Sequence, residues 1–167
     1  MTWSGHWHGY GPWTGSRDAY GQEALRRPGA ERNSEQTRTF VASTLPPLMT
    51  GHWLLRRDQT AVERTWTRAV GAVTWLKSTY EANPPAERDD GGRAHIALED
   101  KIAYAMDALP RGVDVCWVHY TKSQSLISFS VVCCLNHHHP GLPCPLPPAW
   151  SLKSTLNPTR TATPEAA

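Results

Sequence analysis

Three of the four cysteines and three of the eight histidines fall within twelve residues, in the stretch CCLNHHHPGLPC from Cys133 to Cys144. Thiolate and imidazole are the borderline-soft donors that zinc, copper or nickel take in preference to oxygen. Cys134 and His137 are separated by two residues, and His139 and Cys144 by four. Both gaps let a turn bring a sulfur and a nitrogen to one zinc-like ion. Pro140-Gly141 supplies a turn between the two pairs, so the candidate metal ligands are Cys134, His137, His139 and Cys144. Adjacent residues of a strand point to opposite faces, so Cys133 and Cys134 do not both face one ion while the strand continues. The competing reading has two core cysteines closing a strand, followed by an exposed histidine turn, with cysteine acting as a small hydrophobe.

A second pair, His6 and His8 in GHWHGYGPW, has i, i+2 spacing. On an extended segment both side chains point to one side, which suits chelation, and the pair would complete a site if it met His137–His139 in space. Other chemistry is harder to place. The chain has no G-x-S-x-G, H-E-x-x-H, Walker A or G-x-G-x-x-G motif. Glu99 and Asp100 are neighbours on a helix and face different sides, so they do not make an acid/base pair.

These residues need elements to hold them, and the clearest is a helix over 60–82. Val62, Trp66, Ala69, Val70, Val73, Leu76 and Tyr80 recur at spacings of three and four, Thr60 and Glu63 fit a capping box, and Asn83-Pro84-Pro85 ends the run. A second helix is expected over 93–109, with a stripe of Ile96, Ile102, Ala103, Met106 and Leu109, His95 near its start, and Pro110 and Gly112 as its stop. From residue 113 the pattern changes to β-branched and aromatic residues, and VDVCWVHY and LISFSVVCCL flank the polar TKSQ as a β-hairpin. With Thr121–Gln124 as the loop, Tyr120 faces Ser125 and Cys116 lies opposite Phe129, too far along the ladder to bridge Cys133.

The fold class is therefore α+β: two main helices on a small antiparallel sheet that contains a C-terminal hairpin, with irregular ends. Two strands alone are marginal, so a third strand or a partner chain, as in a homo-oligomer, is expected to complete the sheet. Residues 1–35 read as a Gly/aromatic-rich irregular segment whose indoles dock on the core, residues 36–136 as one α+β domain, and residues 137–167 as a histidine turn and a Pro-rich disordered tail. Within 36–57, Pro46-Pro47 separates short helical turns.

Seventeen basic residues against 15 acidic ones give a net charge of +2, with no basic cluster of the kind that grips nucleic acid. Thirteen arginines to four lysines point to a GC-rich bacterial source. No apolar run approaches the ~20 residues of a membrane span, and four cysteines without an export signal suit reduced thiols in a cytoplasm. The leading expectation is a cytoplasmic accessory or binding protein that holds a zinc-like ion. Two alternatives are a winged-helix-like DNA-binding regulator and a small enzyme of unrecognised type, the latter with His119, His95 and the tryptophan-rich segment lining a pocket. Acidic Glu99, Asp100 and Asp107 on the would-be recognition helix weigh against DNA.

Overall fold

The computed structural model describes residues 3–87 and 96–147. Its centre is a four-stranded antiparallel sheet in the order β2-β1-β4-β3, built from β1 (His6–Gly15), β2 (Thr65–Trp66), β3 (Val115–Tyr120) and β4 (Leu126–Cys134). Helices α1 (Arg17–Tyr20), α2 (Glu35–Ala42), α3 (Ala69–Ala82) and α4 (Leu98–Ala108), with short 3-10 turns between them, complete the α+β architecture.

All nine residues of β4 are buried, because β1 and β3 flank it and both of its faces are covered. On one face Ile127, Phe129, Val131 and Cys133 join Trp7 of β1 and Val115 and Trp117 of β3 beneath Ala72, Val73, Leu76 and Tyr80 of α3 and Ala105 and Ala108 of α4. On the other face Val132 and Cys134 join Tyr10 of β1 and meet Trp53, Leu54, Leu142 and Cys144. Cys133 and Cys134 thus belong to opposite layers, as strand alternation requires. The β3-β4 hairpin is the expected one, with a longer loop. Tyr120 pairs with Leu126, and Cys116 lies opposite Ser130 instead of Phe129. Gln124 takes a positive φ of 64° to close the turn, and Thr121 N–H donates to the Ser125 carbonyl.

Several expectations are corrected. Residues 1–35 are not irregular throughout: β1 lies between β2 and β4, pairing His6 with Cys134 and Trp7 with Cys133. Gly9 and Gly15 lie in this strand beneath tryptophan rings. A Cβ on Gly9 would lie 2.8 Å from the Trp66 ring and 3.2 Å from the Trp75 ring, while Gly11 adopts φ +91° at the register shift between Tyr10 and Trp13. The chain itself thus supplies two strands beyond the hairpin.

The helix expected over 60–82 begins only at Ala69, after Arg68 with no side-chain cap. Thr65–Trp66 pairs with β1 instead, and the Thr60 hydroxyl is engaged by Tyr10, so tertiary pairing overrides the helical period. Val62 and Val70 are consequently exposed. The second helix starts at Leu98, and residues 93–95, with His95, lie outside the described residues. Its inner stripe is Leu98, Ile102, Ala105, Ala108 and the following Leu109, while Ile96, Ala103 and Met106 are exposed. Gly112, left-handed at φ 78°, caps the 3-10 turn that ends it. Much of the Pro-rich tail, residues 148–167, also lies outside the described residues.

Candidate metal centre

Strand alternation places His6, His8 and Tyr10 on the face of β1 that turns away from the helices, and the β1-β4 register sets Cys134 directly opposite His6. The fourth member arrives from the segment after β4. Asn136 holds that segment: its side-chain amide donates to both Asp114 oxygens at 3.1 and 2.9 Å, and its Oδ1 accepts the His138 and His139 backbone N–H groups at 3.0 and 3.2 Å. Leu142 N–H then donates to the His139 carbonyl across Pro140-Gly141, so the chain folds back and returns Cys144 to the sheet.

The result is a cluster of two imidazoles and two thiols, His6, His8, Cys134 and Cys144, whose ligand atoms all lie within 4.8 Å of one another. His6 Nε2 is 3.0 Å from His8 Nε2 and 3.2 Å from Cys144 Sγ, and His8 Nε2 is 3.5 Å from Cys144 Sγ. With zinc-type bond lengths, a tetrahedron has edges of about 3.3 Å between nitrogens, about 3.5 Å between nitrogen and sulfur, and about 3.8 Å between sulfurs. His6, His8 and Cys144 are therefore spaced as three corners of one such sphere, slightly contracted, with Cys134 within 4.8 Å of each. His8 and Cys134 are buried, and His6 and Cys144 are half-buried.

Outer contacts fix one ligand's tautomer. The Thr65 hydroxyl lies 2.8 Å from His8 Nδ1 and donates its single proton to the Ala61 carbonyl at 2.8 Å. His8 Nδ1 must then be the donor, Thr65 the acceptor, and Nε2 carries the free lone pair that faces His6 and Cys144. The two sulfurs also differ. Hydrogen bonding from Cys134, and after it from His6 and the Leu146 backbone, pulls the Cys144 thiol far below its ordinary value against the opposing effect of burial. Cys134 is pushed up, first by its hydrogen bond to Cys144 and then by burial. The two thiols are thus shifted in opposite directions, and metal binding requires the deprotonated form that the shift of Cys144 favours. Beneath it Tyr10 stacks on Trp53 at 4.9 Å, and burial raises its hydroxyl while Thr60 accepts its proton.

Of the four residues singled out in the sequence, the structure brings Cys134 and Cys144 together and places the two histidines elsewhere. His137 is exposed near Gly112 and Trp3, and His139 stacks on His52 with ring centres 4.4 Å apart. His6 and His8 take the nitrogen positions. The i, i+2 spacing signals that pair, but its meeting with the cysteines depends on β1-β4 pairing across more than a hundred residues. His119 packs beside Tyr80 and Phe129, 2.7 Å from the Asn83 carbonyl on the opposite side of the sheet from the cluster.

No protein-family model, curated protein or solved structure matches the chain. Among the described residues no helix is long and apolar enough to cross a membrane.

Proposed function

We propose that this chain is a small accessory or binding protein built around one zinc-like ion held by His6, His8, Cys134 and Cys144. The observation that carries the reading is the convergence of four soft donors within 4.8 Å from three separate segments. A tetrahedral N2S2 set is the kind that selects zinc among common ions. Four protein ligands leave no open coordination position, so the ion serves architecture and not substrate activation. The pre-set His8 tautomer supports the same reading.

The test is metal analysis of untagged protein by mass spectrometry under native conditions and by elemental analysis. About one zinc per chain is expected, with loss when Cys134 and Cys144 are both replaced by Ser. Metal-free protein that folds fully and ignores added zinc would refute it.

A further inference from the structure

Among the described residues, the buried nitrogens His52 Nδ1 and His139 Nε2 have no hydrogen-bond partner, and they belong to one pair of touching rings. Buried nitrogens without a partner are rare in folded proteins and call for a water, an ion or a ligand. The rings lie 4.4 Å apart, tilted by 38°, and no hydrogen bond joins them.

The contact is built from both sides. His139 is fixed by its backbone bond to Asn136. His52, within the 3-10 turn Thr50–Leu55, meets Phe40 edge to face with ring centres 6.2 Å apart. Gly51 permits the approach: a Cβ there would sit 2.4 Å from His139 Cδ2 and 3.1 Å from Nε2.

We propose that His52 and His139 form a second metal position, separate from the four-ligand cluster, that takes a nickel(II)- or copper(II)-type ion. An ion about 2.0–2.1 Å from each nitrogen lies about 3.2 Å from each ring centre. Ring centres 4.4 Å apart then correspond to a nitrogen–metal–nitrogen angle of about 90° when both nitrogens face the ion. That angle fits the square-planar or tetragonal spheres of copper(II) and nickel(II) better than the tetrahedral sphere of zinc. With two protein ligands the remaining positions go to water, which makes this ion exchangeable where the first is enclosed.

The probe is nickel(II), titrated by calorimetry into the untagged full chain loaded beforehand with zinc. One nickel per chain is expected. His52→Ala and His139→Ala should each weaken it at least about tenfold, while the exposed pair His137→Ala/His138→Ala leaves it unchanged. His52→Gln, which keeps a polar side chain against Phe40, repeats the test, with circular dichroism confirming that each variant folds. The double Cys134→Ser/Cys144→Ser variant separates the two sites, since it loses zinc and keeps the nickel that responds to His52. Absence of nickel binding overturns the proposal. So does a nickel equivalent that survives both His52→Ala and His139→Ala and disappears with His137→Ala/His138→Ala, because it would belong to the surface triplet.

Discussion

Thr65→Val isolates the outer sphere of the four-ligand site without touching a ligand. Valine matches threonine in shape and suits a strand, so β2 should keep its pairing with β1. What disappears is the acceptor 2.8 Å from His8 Nδ1, together with the hydroxyl's bond to the Ala61 carbonyl. The Ala61 bond is lost equally with and without metal and drops out of the affinity difference. The His8 bond does not. A neutral hydrogen bond contributes about 1 kcal/mol net, and one from an imidazole made more cationic by its metal is roughly twice as strong. The difference, about 1 kcal/mol, grows when the tautomer preference is also lost, giving zinc binding weakened about tenfold, within the ~10–100-fold range typical of outer-sphere partners. The assay is competition against a chromophoric chelator at fixed pH, with Thr65→Ser restoring most of the affinity. Thr65→Val binding within threefold of the parent, or Thr65→Ser as weak as Thr65→Val, would refute the assigned tautomer.

Three further outcomes are expected. Removing zinc with a chelator should lower the melting temperature by about 10 °C, since ligand present at 1,000 times its dissociation constant stabilises by about 4 kcal/mol, and Cys144→Ser should abolish the shift. His52 has a folded pKa below its unfolded value, so the neutral ring's stabilising contribution is present above about pH 6.5 and lost as pH falls through the folded value. The melting temperature of metal-free protein should therefore fall between pH 7 and pH 5, and His52→Gln should flatten that slope. Gly9→Val puts a side chain where Trp66 and Trp75 already sit, and a loss of about 1–3 kcal/mol in denaturant unfolding is expected.

The hairpin, the opposed directions of Cys133 and Cys134, and the fold-back at Pro140-Gly141 are all legible in the sequence, because each depends on neighbours a few residues away. The central strand β1 is not. Its three glycines argue against a strand locally, and Gly9 is explained only by the rings of distant Trp66 and Trp75 that lie over it. Thr65–Trp66 carries the right period for a helix, yet pairing with β1 decides its conformation. The same distance dependence divides the site. Both cysteines were identifiable from their chemistry and the turn between them, and His6 and His8 from their spacing. The choice of histidines followed from a strand register that no local pattern encodes.

His6 and Cys144 are 138 positions apart in the chain yet their ligand atoms are 3.2 Å apart. An ion bound to both closes the 138-position stretch between them into one ring, as a disulfide would. Restricting an unfolded chain by a loop longer than 100 residues is worth about 4–5 kcal/mol in the chain-entropy account. That is a large part of the roughly 5–15 kcal/mol by which a domain is stable. It follows that an ion which also remains on the unfolded chain would act as a cross-link, whereas one that leaves on unfolding would stabilise only through its affinity. Dependence of the melting temperature on zinc concentration tells the two apart: a cross-link gives a plateau, and simple linkage a logarithmic rise.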